Sequence, residues 1–174
     1  MASKVRVYGK AQNRTALGIV NAYLVMYPHT TLADLRKAFP DTLNNWKIKG
    51  KDSMMFVDIK EKDTIVQKYG DEAAYNDNFF IKPEEIMSLQ DGTKVAMRTD
   101  WSKEDFANLV DWVKQYDIEV AAFTPGRPFE RGGYALEYLN GYVPPIKNGK
   151  KRNWWLWLVI AVLVVGTLCY FVCK

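Results

Sequence analysis

Cysteine and histidine are nearly missing from this chain. Its 174 residues include two cysteines, Cys169 and Cys173, and a single histidine, His29. Residues 1–168 therefore hold no thiol for a disulfide or a thiolate metal site. A zinc site, or a nucleophile activated by a histidine base, would need atypical ligands or bases around His29. We interpret His29 as a turn residue, since it directly follows Pro28.

Nucleotide-binding motifs are also missing. The sequence contains neither the phosphate-loop pattern G-x-x-x-x-G-K-[ST] nor the dinucleotide fingerprint G-x-G-x-x-G. Gly126, Gly132 and Gly133 lie in a Gly- and Pro-rich stretch without the strand-to-helix context that such motifs require. We therefore expect no cofactor.

Acidic residues are absent from the C-terminal end of the chain. No Asp or Glu follows Ile146, whereas five of the 24 Lys and Arg residues do. Residues 1–146 carry the other 19 basic residues and all 20 acidic ones, so the net charge of +4 comes from the C-terminal segment. A nearly neutral domain lacks the distributed positive charge typical of nucleic-acid binding. We do not expect nucleic acid as a partner.

Charged residues are absent from residues 154–173, an uncharged run of 20 residues. As a helix rising about 1.5 Å per residue, such a run spans about 30 Å, the hydrocarbon thickness of a bilayer. Aromatic rings, which prefer the headgroup regions, mark both ends of the run. They are Trp154, Trp155 and Trp157 at one end and Tyr170 and Phe171 at the other. The pattern predicts a single transmembrane helix in a lipid bilayer.

The charges that flank this run predict its orientation. Lys and Arg next to a span are retained on the cytoplasmic side. Four basic residues precede the run, namely Lys147, Lys150, Lys151 and Arg152, and Lys174 alone follows it. The N-terminal segment lacks the apolar core of a signal peptide. We therefore predict a tail-anchored protein with a cytoplasmic N-terminal domain, a C-terminus on the opposite side, and these four basic residues at the membrane interface.

The predicted span carries weak signals for self-association. It contains no G-x-x-x-G pair and no Asp, Glu, Lys or Arg, the features that favour helix pairing in lipid. Cys169 and Cys173 are four residues apart, and we interpret them as packing residues, with a dimerising or acylated thiol as the alternative. Any homo-oligomer is expected to form through the cytosolic domain.

Residues 1–140 alternate short helical and strand patterns, which predicts a small α+β domain. Residues 141–153 form a Gly, Pro and basic juxtamembrane linker, and residues 154–173 the transmembrane helix. Alternation predicts a short edge strand at residues 4–8. The other predicted strands are residues 54–59, 79–81, 95–98 and 118–123. The predicted helices are residues 15–27, 32–39 and 65–76 and a helix that begins after Ser102. A helical turn is predicted at residues 83–89.

Two sequence patterns suggest functions other than protein binding, one catalytic and one regulatory. Pro40-Asp41 followed by Asp58-Ile59-Lys60 is similar to the PD-(D/E)xK arrangement of metal-dependent nucleases, in which carboxylates hold Mg²⁺ and a lysine positions water. Pro40-Asp41 is equally well explained as the end of a helix. A nuclease would also require a basic groove for phosphates, which the charge balance does not indicate.

The second alternative is a helix-turn-helix. The first two predicted helices are joined by a short turn, and residues 47–59 could form a wing with three alternating lysines. The recognition helix would have to be residues 42–46, which are few and contain no Arg or Lys. We favour a helical hairpin packed on a sheet.

Trp112 is the candidate partner-binding residue. It lies off the apolar stripe of the last predicted helix, which is formed by Phe106, Leu109, Val110, Val113 and Tyr116. An exposed Trp can anchor a protein interface, whereas burial is the more common position for this residue. Together these patterns predict a non-enzymatic adaptor domain, held at the cytoplasmic membrane surface, that binds a protein partner.

Overall fold

The computed structural model describes residues 2–45, 47–48, 50–52, 54–121, 129 and 132–145. These residues form a mixed α+β fold with five α-helices and three small sheets, which confirms the predicted class. The helices are α1 Gln12–Met26, α2 Leu32–Ala38, α3 Lys62–Tyr69, α4 Glu72–Asn78 and α5 Lys103–Trp112. The strands are β1 Val5–Gly9, β2 Lys47–Ile48, β3 Lys51–Asp52, β4 Phe56–Asp58, β5 Met87–Ser88, β6 Lys94–Met97, β7 Ile118–Val120 and β8 Tyr134–Tyr138.

The first sheet has the order β7-β1-β8. β1 pairs in parallel with β7, where Val5 lies opposite Ile118, and antiparallel with β8, where Val5 lies opposite Tyr138. The prediction of an edge strand is therefore wrong, because β1 is the central strand. Alternation in β1 reveals that Val5 and Val7 face a core, and both are fully buried. It carries no information on partner strands more than a hundred residues away.

α1 covers the buried face of this sheet. Leu17, Ile19 and Val20 are buried in the larger apolar cluster together with Val5 and Val7. The helix begins at Gln12 rather than at the predicted residue 15, because the polar first turn lies outside the apolar repeat. The Gln12 side-chain amide donates a hydrogen bond to the Ser102 carbonyl at 2.8 Å and so links the starts of α1 and α5.

A second sheet, which is antiparallel and has the order β4-β6-β5, packs with α3 and α4. The single helix predicted over residues 65–76 is two helices, since Gly70 adopts a positive φ of 97° and ends α3. The Asp71 side chain then caps α4 by accepting a hydrogen bond from the Ala74 amide at 2.7 Å. The predicted strand at residues 79–81 is reduced to an isolated bridge between Phe79 and Arg98.

Side-chain caps begin two of the helices as the sequence predicts. Thr31 and Asp34 form a reciprocal capping box at α2. Ser102 accepts a hydrogen bond from the Asp105 amide at 3.0 Å at the start of α5. α5 ends at Trp112, and a 3₁₀ turn continues to Tyr116.

The described residues include no helix that is both long enough and apolar enough to cross a bilayer. The predicted span, residues 154–173, lies outside the described residues, as does the part of the predicted linker that follows Pro145.

Candidate binding site

An open pocket of about 690 Å³ lies at the C-terminal end of α1, between the start and end of α2 and the 3₁₀ turn after α5. Its volume is within the usual range for ligand and peptide pockets. We call it the aromatic pocket. Its lining residues are Tyr23, Met26, Tyr27, Pro28, His29, Thr30, Asp34, Lys37, Ala38, Tyr116 and Pro145.

Three tyrosines form the aromatic wall. The Tyr23 ring lies 4.6 Å from Tyr27 and 5.0 Å from Tyr116, between ring centroids. Tyr27 and Tyr116 meet at 6.2 Å and 75°, which makes an edge-to-face corner. Burial raises the pKa of the Tyr23 and Tyr116 hydroxyls, so both stay protonated at neutral pH. Tyr27 is 41% exposed.

Trp112 lies next to this wall. Its indole Nε1 donates a hydrogen bond to the Ala38 carbonyl at 2.8 Å, and the Tyr116 hydroxyl donates to the same oxygen at 3.3 Å. Ala38 is the last residue of α2, whose terminal carbonyls lack partners within the helix. The bond fixes the indole position while 36% of Trp112 stays exposed. The exposure that an anchor residue needs is therefore present.

Polar groups surround the opening. Hydrogen bonding to the Thr31 side chain holds the pKa of Asp34 below its ordinary value, so this carboxylate is charged at neutral pH. Lys37 is exposed on the same helix. His29 lies in the turn predicted for it, and its Nδ1 donates to the Gln90 Oε1 at 2.6 Å. The pocket thus combines an apolar wall with a rim of both charges.

Sequence reasoning missed the three tyrosines as a group. Tyr27 and Tyr116 each fit the apolar repeat of a helix, so each reads as an ordinary core residue. α1 and the turn after α5 are separated by almost ninety residues, and no local spacing indicates that they meet. The available signal was the Tyr-Pro-His sequence at the end of α1, which places an aromatic ring at a helix terminus.

The two aspartates of the nuclease-like pattern accept hydrogen bonds from backbone amides. The Asp41 Oδ1 accepts a hydrogen bond from the Met55 amide at 2.7 Å. The Asp58 Oδ1 accepts from the Lys60 amide at 2.9 Å and caps the 3₁₀ turn that follows β4. Both carboxylates therefore have structural roles, as N-cap and turn residues commonly do.

The segment that would have to be the recognition helix of a helix-turn-helix is too short for that role. Asp41–Leu43 forms one 3₁₀ turn, and β2 and β3 form a two-stranded hairpin after it. Lys47 lies 3.5 Å from the Asp52 carboxylate, and the Lys51 ammonium donates to the Lys68 carbonyl at 2.5 Å. These lysines are engaged with the domain itself.

Arg98 is the most deeply buried charged side chain among the described residues, with no exposed surface. Burial lowers its pKa, while Asp100, Asp105 and Asp41 act in the opposite direction. Its backbone amide donates to the Met55 carbonyl at 3.0 Å. This backbone bond joins the end of β6 to the residue before β4.

Within the described ranges, no group of three or more His, Cys, Asp or Glu side chains is arranged to hold a metal ion. The predicted membrane-interface residues lie outside those ranges and stay predictions. They are Lys147, Lys150, Lys151, Arg152, Trp154, Trp155, Trp157 and Tyr170.

The comparisons with known proteins give no relative. No family model, no curated protein and no solved structure matches this chain.

Proposed function

We propose that this protein is a tail-anchored adaptor, whose α+β domain lies at the cytoplasmic membrane surface and binds a protein partner through the aromatic pocket and Trp112. The observation that carries this proposal is the pocket itself, with an exposed Trp fixed beside three clustered tyrosines. Interfaces gain most of their energy from such rigid aromatic anchors.

The membrane part of the proposal rests on the sequence. Residues 154–173 are uncharged and four basic residues precede them, which supports a single span with the domain on the cytoplasmic side. Alkaline extraction tests the anchor: the full chain should stay with the membrane pellet. A chain with Leu163→Arg and Val164→Arg should be released, because each charge at the centre of a span costs about 3 kcal/mol.

The binding part is tested by chemical cross-linking in native membranes, followed by purification of the full chain. Trp112→Ala should reduce capture of a specific partner by about tenfold, as expected for an interface anchor. Tyr138→Ala is the matched control, since Tyr138 is also an exposed aromatic residue but lies on β8, whereas Trp112 is hydrogen-bonded to the pocket residue Ala38. Equal capture by both variants would contradict the proposed site.

The full chain purified without cross-linking tests the enzymatic alternative. The full chain in detergent, mixed with duplex DNA or RNA and Mg²⁺, should give no cleavage. Cleavage that disappears in Asp58→Ala would replace the adaptor proposal with a nuclease.

A further inference from the structure

Two of the chain's own prolines already occupy part of the surface around the end of α1. Pro145 lines the aromatic pocket and also a second depression of about 290 Å³ on its other side. Pro144 lines this second depression, and Pro28 contributes to both. The exposed Pro145 therefore lies between the two depressions near the end of α1, with the aromatic pocket on one side and the depression lined by Pro144 on the other.

The pocket offers the chemistry that extended proline-rich segments bind. Such segments form polyproline II helices, which have no internal hydrogen bonds and lose little entropy on binding. Their rings dock on aromatic side chains, and their carbonyls accept hydrogen bonds from nearby donors. Tyr27 and Tyr116 supply an aromatic corner beside Pro145. Lys37 and the Tyr27 hydroxyl supply donor groups at the opening.

We propose that the aromatic pocket binds a proline-rich peptide segment of the partner, whose rings pack on Tyr27 and Tyr116 next to the chain's own Pro145. This inference rests on the proposed adaptor function and specifies the chemistry of its partner. The concave shape and the mixed-charge rim favour a peptide over a lipid surface, which protruding apolar side chains would contact better.

The test is a binding titration with the full chain in detergent micelles and a fluorescently labelled decaproline peptide. A decapeptide of glycine and serine and an amphipathic leucine-rich helical peptide serve as comparisons. We expect saturable binding of decaproline and at least about tenfold weaker binding of both comparison peptides.

Variants locate the bound peptide. Tyr27→Ala should weaken decaproline binding by about tenfold, whereas Tyr27→Phe should stay within about threefold, since it keeps the aromatic face. Tyr138→Ala, the matched control outside the pocket, should leave the Kd unchanged. Unfolding midpoints of all variants, measured in the same micelles, show whether each is folded.

Three outcomes would overturn the inference: no saturable decaproline binding, tighter binding of either comparison peptide, or equal weakening by Tyr27→Ala and Tyr138→Ala. Loss of decaproline binding when lipid bicelles replace detergent would also overturn the inference, because that result would assign this surface to the membrane. These outcomes are distinct from a failure of the adaptor proposal, which would appear as alkaline release of the full chain or as Trp112-independent capture.

Discussion

Arg98 is a charged side chain with no exposed surface, and its charge is favoured by the carboxylates of Asp41, Asp100 and Asp105. Removing one member of a buried charged cluster costs more than replacing the cluster by apolar groups. We predict that Arg98→Ala lowers the free energy of unfolding by about 3 kcal/mol or more, through lost packing and uncompensated carboxylates. Arg98→Met, which keeps most of the side-chain volume, should lose less.

Urea unfolding of the full chain in detergent, followed by circular dichroism, measures both variants. A loss in Arg98→Met equal to or greater than that in Arg98→Ala would show that the charge, rather than the filled volume, dominates at this position.

Some single-residue features could be predicted because their physics is local. The capping box of Thr31 and Asp34 involves atoms three residues apart, and the structure forms it. The turn at His29 follows from Pro28 in the same way. The burial of Arg98 could not be predicted, since a charged residue after a strand is ordinarily solvated and its carboxylate neighbours come from residues 41, 100 and 105.

At the scale of elements, α1 packs closely on the first sheet, and Gly18 permits this approach. A methyl group at Gly18 would lie 2.8 Å from the Val7 Cγ1 and 2.9 Å from the Tyr134 Cβ. In an exposed helix, Gly→Ala gains about 1 kcal/mol. Overpacking reverses the sign here, so Gly18→Ala should lower the free energy of unfolding by about 1–2 kcal/mol.

Asn21→Ala is the matched control for this prediction, because Asn21 is a half-exposed position on the same helix. It should be neutral or stabilise the domain by a few tenths of a kcal/mol. Thermal unfolding of both variants in the same detergent decides the question, and a stabilised Gly18→Ala chain would show that α1 can move away from β1 and β8.

Helices were predicted better than strands in this domain. α2 and α5 carry caps and apolar repeats, which are local signals, and both were found close to their predicted bounds. β1 was recognised as a strand but wrongly placed at an edge, because β7 and β8 reach it from the other end of the chain. The division of α3 from α4 depends on the backbone of Gly70, which an apolar repeat continuing through residue 73 obscured.

At the scale of the whole molecule, the alternation of helical and strand patterns predicted an α+β domain without indicating where its binding surface lies. The aromatic pocket combines the ends of α1 and α2, the turn after α5 and Pro145, which are far apart in sequence. Trp112 was identified from its position off the apolar stripe, and its hydrogen bond to Ala38 explains how it stays exposed and fixed. The three tyrosines of the pocket wall could be identified as a group only from the tertiary structure.

Protease protection tests the proposed membrane topology most directly. The full chain, with an epitope tag at its N-terminus, is expressed in cells, and protease is added before or after permeabilisation of the membrane. A cytoplasmic domain anchored by residues 154–173 should resist protease in intact cells and be digested after permeabilisation. Digestion of the tagged domain in intact cells would contradict the tail-anchored, cytoplasm-facing arrangement.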